Sequence, residues 1–165
     1  MRSVLLSALV LAGCSSYGLE KPAAPPVQAR APTPPGLARI CVLRPHNLAM
    51  AVTFVVHDND RLVGATRGPT YFCYYAEPGP HYITTDSGDE VTEARLTAEP
   101  DRRYYLHQQV DNVFGYVRGR LEWVDESTGL DMLDRCGYRV LVAVPGDEAL
   151  PPTAPLVPAA APKGS

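Results

Sequence analysis

Short runs of alternating apolar and polar residues dominate the middle of the chain and predict β-strands. These runs are rich in β-branched and aromatic residues and are separated by Gly, Pro, Asn and Asp, as is typical of strands joined by tight turns. The alternation is clearest over 91–98, where Ala94 and Leu96 share one face and Glu93 and Arg95 the other. The predicted strands are 39–44, 51–57, 61–66, 70–75, 81–86, 91–98, 103–110, 116–124 and 138–144.

One segment has helical spacing instead. Asp125 or Ser127 can cap a helix that carries Leu130 and Leu133 on one face and ends at Gly137. Eight or nine short strands with one short helix near the C-terminal end predict a mainly β protein, an antiparallel β-sandwich. A partly closed β-barrel is the alternative architecture.

Composition divides the chain. Twelve of its 17 prolines fall in 17–37 and 145–165, where large apolar side chains are scarce. Because such segments cannot bury enough surface to offset their ordering entropy, we expect a disordered Pro-rich tether over 14–37 and a disordered Pro/Ala-rich tail over 148–165. The remaining residues, 38–147, are the right size for one folded domain with a single core.

The N-terminal residues resemble the lipobox of bacterial lipoprotein precursors. Arg2 precedes a short apolar run that closes on Leu11-Ala12-Gly13-Cys14, the layout of a secretory signal. The resemblance implies a signal peptide over 1–13 and a diacylglyceryl group on Cys14, with the new N-terminal amine commonly acylated. It therefore implies a membrane partner reached through the lipid. Ser15 is not the aspartate that marks inner-membrane retention in some bacteria, which favours the outer membrane.

Charge excludes one class of partner. The formal net charge is −3, and the 15 basic residues are scattered without forming a stripe. Nucleic-acid binding leaves a clustered basic footprint, so we expect no nucleic-acid partner.

Two short motifs resemble a family of small bacterial lipoproteins known only as domain-of-unknown-function family 2846. They are the Pro-Gly turn that ends in His81, within Glu77-Pro78-Gly79-Pro80-His81-Tyr82, and the Tyr104-Tyr105-Leu106 strand. The resemblance covers roughly residues 40–142 and implies a β fold in the cell envelope. It supplies no catalytic residues. The 121–126 segment and the cysteines at 73 and 136 do not match that family's general pattern.

Three cysteines remain once Cys14 is assigned to the lipid. In an oxidising compartment they predict one disulfide and one free thiol. We favour a Cys73–Cys136 disulfide that joins the helix to the sheet and leaves Cys41 as a small buried residue. Pairing of Cys41 with Cys73 or with Cys136 stays open, because connectivity cannot be read from sequence.

Aromatic residues are the strongest candidates for function. Eight tyrosines and Trp123 lie in or beside predicted strands, and some of them must face outward because strand neighbours alternate. Tyr74, Tyr104 and Trp123 are the predicted binding face, which could stack on glycan rings or on a partner protein.

The sequence predicts no catalytic, metal or cofactor site. It lacks G-x-S-x-G, S-x-x-K and H-E-x-x-H, and its four histidines have no metal-ligand spacing. The acidic cluster of Glu122, Asp125 and Glu126 fits helix capping better than glycoside hydrolysis. We therefore expect a non-enzymatic, lipid-anchored envelope module that binds an envelope protein or polymer. The alternatives are a small envelope hydrolase acting on peptidoglycan or polysaccharide, and a structural spacer.

Overall fold

The computed structural model describes residues 16–86, 91–113, 116–146, 149–151 and 156–161. The long strands lie close to their predicted positions, and the short ones at both termini were not expected. The strands are β1 Gly18–Glu20, β2 Ala38–Arg44, β3 Thr53–Asp58, β4 Arg61–Arg67, β5 Thr70–Ala76, β6 Gly79–Asp86, β7 Val91–Ala98, β8 Arg103–Val113, β9 Tyr116–Val124, β10 Gly137–Tyr138, β11 Val140–Ala143 and β12 Leu156–Val157; the helix is α1 Glu126–Leu133.

Two sheets face each other, which confirms the β-sandwich. Sheet I has the order β10-β5-β2-β8-β9, with β12 also pairing with β5, and sheet II has the order β4-β3-β6-β7. Most neighbours are antiparallel. The central pair β2–β8 is parallel, because the chain builds β3 to β7 before it returns beside β2. The two sheets do not close into a barrel among the described strands.

The core between the sheets is formed by the inward faces of both. Ile40, Val42 and Leu106 from sheet I meet Val56 and Ile83 from sheet II, and all five are fully buried. A polar bridge crosses the same core. The hydroxyl of Thr66 donates to the amide oxygen of Gln108, whose amide nitrogen lies 2.6 Å from Oγ1 of Thr85. These buried polar atoms satisfy one another, as burial requires.

Strand connections alternate between the two ends of the sandwich. The connections 45–52 and 68–69 share one end, where the paired residues Asp86 and Val91, and Val113 and Tyr116, also lie. We call this the loop end. The connections 59–60, 77–78 and 99–102 share the other end with the start of α1, and we call that the helix end.

The expectation of a disordered tether is wrong for residues 17–37. Val27 and Ala29 are buried against the outer face of sheet I, beside Leu43 and Leu133. The guanidinium of the buried Arg39 donates to the carbonyls of Gln28, at 2.8 Å, and Ala31. This segment has few backbone donors of its own, so its carbonyls are satisfied by that side chain. We call 17–37 the N-terminal arm.

The predicted disordered tail is also partly ordered. Val157 is fully buried, and β12 adds a parallel strand at the Tyr75–Ala76 end of β5. The segment is held over the 77–79 turn by hydrogen bonds from Glu77 N to the Val157 carbonyl, at 2.9 Å, and from Ala160 N to the Pro80 carbonyl, at 2.9 Å. The composition predicted that the entropy cost of ordering this segment would keep it disordered. Burial of a short strand offsets that cost.

The disulfide joins Cys41 and Cys73, so the predicted Cys73–Cys136 pairing is wrong. The two residues are direct partners on β2 and β5, with 4.1 Å between their Cα atoms. Directly opposed residues at such short separation are close enough to be bridged, whereas Cys136 follows the helix. Cys136 is the free thiol among the described cysteines, and burial raises its pKa to about 11.

The helix lies on the outer face of sheet I as part of a third layer. Its N-cap is Asp125, whose carboxylate accepts from the backbone N–H of Thr128 at 3.0 Å. Gly129 faces Tyr105, where an added Cβ would lie 2.3 Å from the ring carbon Cγ. Glycine there permits the close approach of helix and sheet. No helix among the described residues has the length and apolar character needed to cross a membrane.

Candidate binding site

A groove at the helix end brings together two of the three predicted binding residues. It lies between β7, β8, β9 and the start of α1 and has a volume of about 470 Å³. Its floor includes Leu96, Tyr104 and Trp123, and its rim carries Arg102, Arg103 and Glu126. This volume falls within the range of small-molecule and oligomer subsites, which combine apolar surface with a few polar groups.

The two aromatic rings in the groove are fixed by their polar atoms. Tyr104 and Trp123 meet edge to face, with 6.1 Å between their ring centroids and 72° between their planes. The indole N–H of Trp123 donates to the Arg95 carbonyl at 2.9 Å, and the Tyr104 hydroxyl accepts from the backbone N–H of Glu99 at 2.9 Å. Because both polar tips are used internally, the half-buried rings offer apolar surface in a set orientation.

The rim of the groove holds charges of both signs. Arg103 and Glu126 form a half-exposed ion pair with 2.6 Å between Nη2 and Oε1. Nε of Arg102 lies 3.6 Å from Oε2 of Glu99. Hydrogen bonds from the Ser127 hydroxyl, and from the amide and hydroxyl of Thr128, hold the pKa of Asp125 well below its usual range. The rim therefore offers guanidinium donors and carboxylate acceptors on either side of an aromatic floor.

The third predicted binding residue, Tyr74, is not on a face. Its side chain is fully buried, and its hydroxyl donates to Oδ2 of Asp58 at 3.0 Å. Tyr74 points inward because Cys73 faces outward to the disulfide, and neighbours on a strand point to opposite faces. The structure therefore removes Tyr74 from the predicted binding face.

At the helix end lies a buried charged cluster of Asp58, Tyr74 and His81. Nδ1 of His81 lies 2.8 Å from Oδ2 of Asp58, and its Nε2 lies 2.8 Å from the Glu77 carbonyl. A carbonyl and a carboxylate are both acceptors, so this geometry favours the imidazolium form of the ring, which donates from both nitrogens. The cluster ties the 77–79 turn to the end of β3. The side-chain amide of the adjacent Asn59 donates a 2.9 Å hydrogen bond to the Pro158 carbonyl, which attaches the C-terminal segment at the same place.

The pKa of His81 follows from that geometry. Burial lowers it, but the hydrogen bonds to Asp58 and to the Glu77 carbonyl outweigh burial, so the pKa is raised. Burial and the charge of Asp58 together raise the pKa of Tyr74 well above its ordinary value. With no exposed surface on Asp58 or His81, the cluster stabilises the turn and does not contact a ligand directly.

The acidic residues considered for hydrolysis are occupied in other ways. Glu122 accepts from the amide of Gln109 at 2.7 Å, while Asp125 caps α1 and Glu126 pairs with Arg103. His46 and His107 are the histidines that approach each other, with 5.6 Å between ring centroids. No group of three potential metal ligands occurs in the part of the chain that the structure describes.

The predicted signal peptide over 1–13 and the predicted lipidation site Cys14 lie outside the described residues. A scan against protein-family models, a search of curated proteins and a search of solved structures each found no match for the chain. The resemblances to lipoprotein precursors and to family 2846 therefore stay hypotheses based on the residues that carry them.

Sequence reasoning missed the buried charges that hold the fold's irregular parts. Arg39 binds the N-terminal arm, and Arg44 donates to the carbonyls of Leu48, Ala49 and Val52 at 2.7–2.9 Å. Burial lowers the pKa of Arg44 to about 10. The sequence of β2 carries the one signal that could have indicated these buried contacts. Its residues Ile40 to Leu43 are apolar on both faces, which indicates a strand covered from both sides.

Proposed function

We propose that this chain is a lipid-anchored protein of the bacterial cell envelope that binds a glycan polymer in the Tyr104–Trp123 groove. The lipobox-like residues 11–14 support the anchor, and the oriented aromatic pair supports the binding role. The groove is the single observation on which the binding role rests.

The chemistry of the groove favours a glycan over other envelope ligands. Sugar rings present flat C–H faces that pack on aromatic side chains, and hydroxyls around the edge that hydrogen-bond to planar polar groups. Tyr104 and Trp123 supply the apolar surface, while Arg103 and Glu126 supply donors and acceptors at the rim. The peptide stems attached to the glycan strands of peptidoglycan carry free carboxylates, which a guanidinium such as that of Arg102 recognises well.

Co-sedimentation with isolated peptidoglycan sacculi tests this proposal. We expect the wild-type protein to sediment with sacculi, and Trp123→Ala to lose about two- to tenfold in affinity, since a contact with one aromatic ring contributes about 0.5–1.5 kcal/mol. Trp123→Phe should retain part of the affinity. Tyr116→Ala removes an exposed aromatic residue at the loop end and is the matched control.

The alternatives give different results in the same assay. Equal binding by the wild type and Trp123→Ala contradicts the groove as the site. Absence of binding to sacculi, with capture of a discrete envelope protein by the same groove, would favour a protein partner. Release of soluble sugar fragments from the sacculi would favour a hydrolase.

A further inference from the structure

We propose that the loop end of the sandwich lies against the lipid bilayer, so that Leu48, Met50 and Tyr116 contact the membrane and the groove faces away from it. This inference rests on the anchor of the proposed function and adds an orientation to it. The conventional expectation for a Pro-rich segment after Cys14 is a spacer that holds the domain at a distance from the bilayer.

Tyr17, which closely follows the predicted lipid anchor, is attached to the loop end. The carbonyl of Tyr17 accepts a 2.6 Å hydrogen bond from Nη2 of Arg67, the last residue of β4 at the loop end. Cys14 is three residues before Tyr17, and three residues span at most about 11 Å. An acyl group on Cys14 would therefore bring the bilayer surface to the loop end, with too little chain between them for a spacer.

Among the described residues, exposed apolar side chains are concentrated at the same end. Seven large hydrophobic residues are exposed among the described residues, and four of them lie at the loop end. Met50 is 58 % exposed and Tyr116 is 62 % exposed. The four are Leu48, Met50, Val91 and Tyr116. Such grouping on one surface indicates an interaction site, whereas single exposed apolar residues are ordinary.

The 45–52 loop is held with its apolar side chains outward. Arg44 is buried beneath it, stacks over the Phe54 ring at 4.7 Å and binds three carbonyls of the loop. Ala49 has a φ of 52°, a left-handed conformation that costs energy outside glycine. The loop is thus fixed in shape while Leu48 and Met50 are directed to solvent.

A bilayer fits this surface better than a charged partner does. Among the described residues of this end, acidic Asp86 and Asp111 accompany basic Arg67 and Arg118, so neither sign dominates there. Contact with the bilayer would then depend on apolar burial and not on anionic lipid. This contact would give the lipid-anchored protein a second anchoring element. Residue 123 lies seven residues beyond 116 on β9, which places the groove about 23 Å farther from the bilayer.

Quenching by brominated phospholipid tests the orientation. The lipidated full-length protein is purified from cells and placed in zwitterionic phosphatidylcholine vesicles that contain brominated acyl chains. Met50→Trp and Glu99→Trp are each made together with Trp123→Phe, so that each protein carries one indole. Glu99 is an exposed residue at the helix end and is the matched control.

We expect the Met50→Trp indole to lose about half of its fluorescence or more in these vesicles, because it enters the acyl boundary. The Glu99→Trp indole should lose less than about a tenth of its fluorescence. Equal quenching of both, or none of either, in protein that floats with the vesicles overturns the orientation and leaves the anchor intact. If the protein purified from cells carries no acyl group on Cys14 and does not float with the vesicles, the anchor is overturned, and the inference with it.

Discussion

Nδ1 of His81 lies 2.8 Å from Oδ2 of Asp58, and neither side chain has any surface exposed to solvent. Both residues lie in sheet II, on β6 and β3. The hydroxyl of Tyr74 from sheet I donates to the same carboxylate at 3.0 Å, so the cluster joins the two sheets at the helix end. It also explains the Pro-Gly-Pro-His motif. Pro78 and Gly79 reverse the chain, with Gly79 at a φ of 131°, and His81 binds back to the Glu77 carbonyl. The histidine is part of the turn's structure.

Replacing His81 should cost more stability at low pH than at high pH. His81→Gln leaves Asp58 buried without its cation, so we expect a loss of about 3–5 kcal/mol near pH 6. Because the pKa of His81 is raised in the folded state, its contribution is fully present below about pH 6.5 and is lost as the pH rises through the folded value. Urea unfolding of both proteins from pH 5.5 to 9 measures the difference.

The exposed His46 supplies the control for that series. His46→Gln should track the wild type within about 0.5 kcal/mol at each pH, as exposed substitutions usually do. A His81→Gln difference that stays constant or grows with rising pH would show that His81 is not an imidazolium in the folded protein.

Removing the disulfide should destabilise the protein substantially. The bridge closes a sequence separation of 32 residues, and the chain-entropy model gives about 4 kcal/mol for a loop of that size. The double variant Cys41→Ala/Cys73→Ala should lower the free energy of unfolding by about 2–4 kcal/mol, measured by urea denaturation. Cys136→Ala should cost far less, and alkylation of the native protein should modify Cys136 but neither Cys41 nor Cys73. Equal losses in the two proteins would contradict the Cys41–Cys73 connectivity.

Gly129→Ala should destabilise the protein even though alanine favours helices. The intrinsic helix preference favours alanine by about 1 kcal/mol, but the new Cβ would overlap the Tyr105 ring. Overpacking in a well-packed site costs about 1–3 kcal/mol, so we expect a net loss. Asp131→Ala, on the exposed side of α1, is the control. A thermal midpoint for Gly129→Ala at or above that of the wild type would refute the close helix–sheet contact.

The N-terminal arm should resist proteolysis. Val27 is buried on sheet I, and Arg30 forms a 2.6 Å ion pair with Asp134 of the helix cap. Trypsin should therefore cut slowly after Arg30 in the native protein. Val27→Asp places a carboxylate in an apolar site and should release the arm and speed cleavage at least about tenfold, since burying an unpaired charge costs several kcal/mol. Rapid cleavage of the native protein after Arg30, measured by mass spectrometry, would show that the arm is disordered and would contradict its burial on sheet I.

Much of the fold was readable from the sequence. Period-two alternation and turn chemistry located the long strands and the helix, because a strand with one buried face must alternate. The parts that were not readable depend on contacts distant in sequence. Proline content predicted disorder for the arm, yet a single buried guanidinium, Arg39, satisfies its carbonyls. The disulfide followed strand register, which places Cys41 opposite Cys73 and has no local signal.

The candidate site was predicted in part for the same reason. Tyr104 and Trp123 lie on β8 and β9, and the hairpin that joins these strands places both rings on the inward face. Tyr74 could not be assigned to a face without knowing that its neighbour Cys73 turns outward. Asp58 and His81 lie 23 residues apart, and only the pairing of β3 with β6 brings them together.

The most direct test of the central claim is photocrosslinking from the groove in intact cells. A photoreactive phenylalanine derivative is placed at Tyr104, or at Tyr116 as the loop-end comparison, and adducts are identified by mass spectrometry. We predict glycan fragments attached at position 104, few or none at position 116, and loss of the adduct when Cys14→Ala prevents anchoring. Absence of any adduct at position 104, or equal adducts at both positions, would contradict a lipid-anchored protein that binds its ligand in this groove.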